Sequence, residues 1–574
     1  MASMTQTAPD STTEHIRAPL TVIHKLFSMH TVETDYVATD FGKLAQSHFQ
    51  AVFADRQALQ QVPVYDQGRK ITPGTLVRFR CMVQDPAYGE ELHLAVARMT
   101  NTATGEERCA FSQYTDAEHG LGAEWEVDYG AAANVFTEKE VAYCVSVPGQ
   151  SAWARGVDNV SESTLDSALE SLSLSGDGNT RAGADKYPIP GEQHSAALVK
   201  FYAPSTAPRV SSVIDVVGVY ELGANTRAQE AGDETAWPCI HAIYHSEVHV
   251  DDVASALPAL QPEDFAARRA MCVEYVTSVL GGDDLAAQYV LLHLLSRTVR
   301  VQDAKVGKLS LNLVNVPPST QPNTTFAFNN PASRWIGDSV SQLVPYSVRV
   351  PFDLKLLNKS SFVPNAEQGD LRAGVLQLAA GTALVCDETC LNEGTLDERG
   401  VRNLHAVQTA ILDQSVTYQF PFQPVEMPTS LRILVLSAGK SILHSDCVVH
   451  ISDAARRFLA DVPASAADVR PLDPMHMEQL RQYIECARHL EFGIPQAVSD
   501  VISTEYAELR RAAHERGEPM MSQEELALTV TVARLISLGK GQAELSIESW
   551  NEAVALELRR KCRNPPASKK QTAE

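Results

Sequence analysis

Two adjacent carboxylates, Asp387 and Glu388, close the apolar run Thr382-Ala-Leu-Val-Cys386. Nucleotide-hydrolysing α/β domains set such a pair at a strand end, beside magnesium and the attacking water. The chemistry also needs a phosphate cradle, a glycine-rich loop ending in Lys-Ser/Thr after an earlier strand, with its N–H groups aimed at phosphate. That earlier strand is legible as Leu309-Ser-Leu-Asn-Leu-Val-Asn-Val316, and it runs into Pro317-Pro-Ser-Thr-Gln-Pro322. Consecutive prolines lack N–H donors, and no Lys-Ser/Thr pair follows. A third strand, Leu431-Arg-Ile-Leu-Val-Leu436, completes the set. The frame of an ATPase stands here without its phosphate grip. Asp387 and Glu388 therefore read as a remnant pair, a surface or capping feature with no catalytic, cofactor-binding or metal-binding role.

The other reactive groups assemble into less. His444-Ser-Asp446 puts an imidazole, a hydroxyl and a carboxylate in sequence, but neighbouring residues point apart and a triad is made in space. His293 lies in an apolar helix with no companion at metal-ligand spacing, as a core histidine does. The ten cysteines form no CxxC pair, Cys386 and Cys390 being the closest two. That usage suits reduced thiols and excludes a zinc ribbon or a disulfide framework. Arg78 and Arg80 flank Phe79 on a strand, yet acidic neighbours and the lack of an aromatic ladder make this a solvated face, not a nucleic-acid surface.

The elements that position these groups follow a clear order. The chain has 574 residues, Lys+Arg 48 against Asp+Glu 71 and a net charge of −23, enough length for several domains. The acidic balance argues against a general grip on DNA phosphates and predicts little direct nucleic-acid binding. No signal segment or membrane-length apolar run is legible, so no membrane partner is expected and an intracellular setting is. Residues 1–17 read as a disordered tail. Residues 18–155 read as a helical cap, Pro19 to Phe53, on a barrel of short strands of the oligonucleotide-binding (OB) type. Residues 156–186 form a Ser/Asp-rich linker, and 187–255 a second β unit. Residues 256–460 carry the α/β core, with a buried helix at Leu285 to Val299. Residues 461–560 read as a helical lid, and 561–574 as a basic tail suited to a nuclear address.

Four blocks resemble the MCM-binding protein family, named for the minichromosome maintenance (MCM) replicative helicase. They are Val77-Arg-Phe-Arg-Cys-Met-Val-Gln-Asp85, Tyr143-Cys-Val-Ser-Val-Pro-Gly149, Gly282-Asp-Asp-Leu-Ala-Ala-Gln-Tyr-Val-Leu-Leu-His-Leu-Leu-Ser296 and Val385-Cys-Asp-Glu-Thr389. The stretch Gly374 to Glu388 is also similar to the MCM subunits' own strand ending in Asp-Glu. By that likeness Lys440 falls where a γ-phosphate-sensing asparagine is expected. Glu524 replaces a sensing arginine, and Ile442 to Val449 holds no arginine finger. The zinc-binding cysteines of the helicase have no counterpart.

The resemblance implies a multidomain α/β protein with an OB-like region, a degenerate AAA+-like core and a helical lid. It implies a nuclear, non-catalytic factor without cofactor. Such a factor binds MCM helicase subunits, reaches chromatin through them, and supports their assembly, supply or unloading in DNA replication, with a link to sister-chromatid cohesion. The competing expectations are a divergent AAA+ ATPase and a replication factor that binds DNA directly.

Overall fold

The computed structural model describes residues 10–31, 38–116, 124–155, 184–202, 208–223, 236–248, 260–301, 304–318, 330–367, 369–462, 473–517 and 519–564. It is a mixed α/β structure whose chain divides into two compact units.

The first unit takes residues 1–147, 183–248 and 367–373. It opens with helices α1 (Asp10–Arg17), α2 (Pro19–Thr31), α3 (Ala38–Val52) and α4 (Arg56–Gln61). Residues 10–17 were expected to be disordered and are helical. His15 stacks on His48, and Glu14 pairs with Lys25. Strands β1 (Leu76–Asn101), β2 (Glu107–Phe111), β3 (Trp125–Val127), β4 (Val135–Ser146), β5 (Ala196–Phe201), β6 (Val213–Gly223) and β7 (Trp237–Glu247) share one sheet. Its path runs β2-β1-β4-β5-β7-β6, and β6 pairs back onto β1, so five strands close into a ring. β5 and β7 are parallel within it. The expected separate β unit over 187–255 is thus the second half of the same barrel. The physical reason is that β5 finds its donors and acceptors on β4, and β6 finds its own on β1. At the β6–β7 bulge a Cβ on Gly218 would stand 2.3 Å from the His241 carbonyl, so only glycine fits. The ring's interior holds Val77, Phe79, Cys144, Val199, Ile214 and Ile240. Phe27, Phe41 and Phe49 of the helices pack against its other face with Phe111, Val217 and Ile243.

The second unit takes residues 148–182, 249–366 and 374–574. In chain order it has α5 (Asp264–Val279), α6 (Asp284–Leu295), the β8 (Val299–Val301) and β9 (Ala304–Val306) hairpin, β10 (Leu311–Val314), α7 (Pro331–Leu343), β11 (Ser347–Pro351), α8 (Leu354–Lys359), β12 (Ala383–Asp387) and α9 (Glu398–Asp413). There follow β13 (Ser415–Gln419), β14 (Pro424–Pro428), β15 (Arg432–Ser437), β16 (Cys447–His450), α10 (Asp453–Ala460), α11 (Pro474–His489), α12 (Gln496–Arg516), α13 (Gln523–Gly539) and α14 (Ile547–Arg563). β10, β11, β12, β15 and β16 form a parallel sheet in the order β11-β12-β15-β10-β16. Parallel strands are covered on both faces, which is why β12 and β15 read as largely apolar runs. α6 is buried nearly all round, as its composition predicts.

Three boundaries differ from the sequence expectation. Pro148–Arg155 belongs to the second unit, where Ser151 donates to the Ser341 and Val344 carbonyls (2.8 and 2.6 Å) and Arg481 lies over Trp153. Helices α11, α13 and α14 share one apolar core with the sheet, through Leu480, Tyr483, Val532 and Trp550. The basic run Arg559–Arg563 is the end of α14, its cations bound to Asp284, Glu557, Glu525 and Asp283. Residues 565–574, and linker positions 156–183, lie outside the described residues.

His293 of α6 is buried, its Nδ1–H donating to the Leu309 carbonyl (2.7 Å) while Nε2 has no hydrogen-bond partner. Burial pushes its pKa down to about 4. A histidine held neutral in the fold contributes stability in full above the unfolded pKa of about 6.5 and loses it as pH falls toward 4. The loss is on the order of 3 kcal/mol. The urea midpoint should therefore fall between pH 6.5 and 4. In His293→Gln that dependence should be smaller by about one proton; an unchanged slope would contradict the assignment.

Candidate functional site

The carboxyl ends of parallel strands are where an open α/β sheet collects its loops and places its chemistry. Here β12 ends at Asp387, β15 at Ser437 and β10 in the Asn315–Pro318 turn. Asn315 leaves the strand with a positive φ of 78°, a conformation asparagine tolerates. The next amide, Val316, donates to the Ser437 carbonyl (3.1 Å), so the chain is pinned to the sheet before Pro317 begins.

Asp387 is fully buried. Its Oδ1 accepts from the Thr389 amide (3.1 Å) and the Thr389 hydroxyl. Its Oδ2 accepts from the Ser333 hydroxyl on α7 and from Cys390 Sγ (3.4 Å). Arg349 on β11 brings Nη1 to 4.0 Å from Oδ2 and donates to the Ser333 hydroxyl (3.2 Å). Burial lowers the Arg349 pKa, and Asp387 opposes that shift. Burial pushes the Cys390 thiol up to about 12, so it stays a protonated donor. The carboxylate is thereby enclosed by the protein's own donors.

Asn330 completes the enclosure. Its side chain caps α7 by accepting from the Ala332 amide (3.1 Å). Its Nδ2 donates to the Pro317 carbonyl (2.8 Å) and to Thr389 Oγ1 (2.5 Å). One buried amide thus joins the proline turn, the helix and the acidic pair. Glu388 turns the other way and accepts from the Ser441 hydroxyl (2.8 Å) and the Ile442 and Leu443 amides (both 3.3 Å). Its pKa is raised by burial, with these hydrogen bonds working against the shift.

The remaining sequence-singled residues do not join this group. Lys440 is exposed, as is Glu524 in the first turn of α13. Asp446 accepts from Lys308, the Ser310 amide and the Ser310 hydroxyl (2.8, 2.9 and 2.7 Å), while His444 points to solvent, so no triad forms. In the first unit Arg80 makes a paired contact with Asp215 (2.7 and 2.6 Å), and Phe79 is buried in the barrel. Among the described residues no three His, Cys, Asp or Glu side chains stand where they could hold a metal ion. No helix of the described residues is long and apolar enough to cross a membrane.

Asn330, Ser333 and Arg349 were not singled out from the sequence. The Asn330-Pro331 pair carries a readable helix-start signal, but nothing local points from it to Asp387.

With Asp387 enclosed, Asp387→Ala should lower unfolding stability by about 2–4 kcal/mol, because Ser333, Thr389 and Arg349 lose a buried acceptor. Millimolar magnesium-ATP should leave the melting midpoint of wild type and variant unmoved. A shift of several degrees in wild type alone would mean that Asp387 holds the metal-nucleotide.

The family model described as Mini-chromosome maintenance replisome factor matches residues 49–181 and 160–564. The Mini-chromosome maintenance complex-binding protein of Gallus gallus is 27% identical over 638 residues, covering 95% of this chain and 96% of its own length. The protein of that name from Arabidopsis thaliana is 27% identical, covering 89% of this chain and 92% of its own. The Homo sapiens one is 24% identical, covering 95% and 97%. A match that spans both units in this way assigns the chain: it belongs to the Mini-chromosome maintenance replisome factor family.

Proposed function

We propose that this chain is a non-catalytic binding factor for subunits of the MCM replicative helicase. Through them it supports their assembly, supply or unloading from chromatin in DNA replication, with a link to sister-chromatid cohesion, and it works in the nucleus. One observation carries the reading: relatives from bird, plant and human bear the name MCM complex-binding protein and align with nearly the whole chain.

The geometry supports the non-catalytic half. Phosphoryl transfer is positioning and charge neutralisation, so it needs donors turned toward phosphate and an acid free to hold magnesium. Here Asp387 is enclosed by Ser333, Thr389 and Arg349, and Glu388 secures the turn at 441–443. We read the second unit as a degenerate AAA+-like core, supported by its five parallel strands and by a proline turn in the phosphate-loop place. We read the first unit as an OB-like barrel, supported by five strands closed on themselves with one parallel pair. The paired Arg80 and the net charge of −23 weigh against the direct DNA-binding reading.

The test uses the full chain, because the two units interleave along the sequence. Tagged protein incubated with nuclear extract should capture MCM subunits. Depleting or adding ATP should change the captured amount less than about twofold. Capture indistinguishable from an untagged control would overturn the reading.

A further inference from the structure

Of the 30 prolines in the chain, only Pro73 follows a serine or threonine, namely Thr72. The pair lies in the loop that leads into β1. Tyr65 is buried at the start of that loop, its hydroxyl donating to the Ala196 carbonyl (2.8 Å), and Leu76 is buried at its end. Between these anchors residues 66–70, Thr72 and Pro73 are exposed, while Ile71 packs back against the interior of the ring.

The backbone at this point is held. The Thr75 amide donates to the Thr72 carbonyl (3.3 Å), and the Gly74 amide donates to the Tyr220 carbonyl (2.7 Å). Gly74 takes a positive φ of 83°. Proline second and a left-handed glycine third make a type II turn, with Thr72 as its first residue. Proline fixes its own φ and keeps the residue before it extended. Thr72 therefore offers its hydroxyl from an extended, solvent-facing stretch, the form in which a protein-kinase cleft takes its substrate.

The neighbours select the class of enzyme. Proline has no N–H, so a cleft that accepts it directly after the hydroxyl makes no demand for a donor there. That tolerance defines the proline-directed Ser/Thr kinases. Arg69 and Lys70 precede Thr72 in the same exposed loop, and no acidic residue occurs from Gln67 to Gln84. On a chain of net charge −23 this is a local excess of cations, which favours a bound phosphate where acidic neighbours would repel it.

We propose that Thr72 is a phosphorylation site for a proline-directed protein kinase. In the transfer, Thr72 Oγ forms a bond to the γ-phosphorus of ATP and the bond from that phosphorus to the β–γ bridging oxygen breaks. ADP leaves, and the hydroxyl proton passes to the base of the kinase. The product places a charge of about −1.5 to −2 beside Arg69 and Lys70, which turns a cationic loop anionic. The barrel beneath keeps its packing, because the modified side chain is exposed. What changes is the surface presented at the start of β1.

The test is incubation of the full chain with magnesium-ATP and, in parallel, a purified cyclin-dependent kinase and a purified mitogen-activated protein kinase. Intact mass and peptide mapping are the readouts. Wild type should gain one phosphate from at least one of the two, a mass increase of about 80 Da, located at Thr72. Thr72→Ala should gain none. Pro73→Ala keeps the hydroxyl and removes the residue that selects the enzyme, so its initial rate should fall at least about tenfold. Circular dichroism should show all three proteins folded alike, which separates a lost site from a lost fold. Wild type left unmodified by both kinases, phosphate retained by Thr72→Ala, or an unchanged rate for Pro73→Ala would each overturn the proposal.

Discussion

A carboxylate removed from water is tolerable only when donors replace the water, and around Asp387 those donors come from three separate pieces of chain. Ser333 comes from α7, Arg349 from β11, Thr389 from the turn after β12, and Asn330 reaches in from the helix cap to hold Thr389 and Pro317 together. The position of α7 against the sheet, the path of the proline turn and the register of β11 beside β12 are all tied to one buried charge. Removing any donor leaves the carboxylate underpaired, and removing the carboxylate strands the Ser333 hydroxyl, the Thr389 amide and hydroxyl and the Cys390 thiol. Such a site changes poorly by single steps, because each member supports the others.

The first unit solves the opposite problem with the signs reversed. Lys200 and Lys139 are buried, and each reaches both Glu91 and Asp116, at 2.7 to 3.0 Å. Burial would raise the Asp116 pKa, but His241, Lys200 and Lys139 together hold it well below the ordinary carboxylate range. Both lysines turn their ammonium groups to these carboxylates at the barrel wall and not to solvent, so they add nothing to an external basic surface. Lys186 does likewise over the rings of Tyr88 and Tyr143, beside Asp85.

Local pattern made some of this legible and left some hidden. Apolar runs marked β12 and β15 within a residue, because strands covered on both faces must be apolar throughout. β11 and β16 escaped notice: Ser347-Val-Arg-Val-Pro351 is short and carries an arginine, and Cys447-Val-Val-His450 is shorter still. The helical cap and several strands of the barrel are readable from period alone, but β7 is not, and β1 reads as separate short strands where the structure has one strand of Leu76–Asn101. That the strands form one barrel is not readable either, since period says which face a residue takes but not which strand lies beside it. Arg559 to Arg563 looked like a free basic tail because Asp283 and Asp284 are nearly three hundred residues away. From the sequence the Asp387–Glu388 pair reads as surface or capping carboxylates, whereas the structure buries both, Asp387 capping the turn that follows it. Its enclosure depends on Asn330 and Ser333, whose roles exist only once α7 docks.

An assembly joint bridged by nucleotide gains stability as RT ln(1 + [L]/Kd), so it tightens and loosens with nucleotide concentration and with hydrolysis. A joint built beside an enclosed Asp387 has no such term, because the groups that would meet phosphate already meet one another. Its strength is then set by shape, apolar burial and charge on fixed surfaces. On the function proposed above, that separation would let a partner's nucleotide state change without altering the grip. The enclosure at Asp387 follows one physical logic, in which stability resides in preformed structure and not in a consumable ligand.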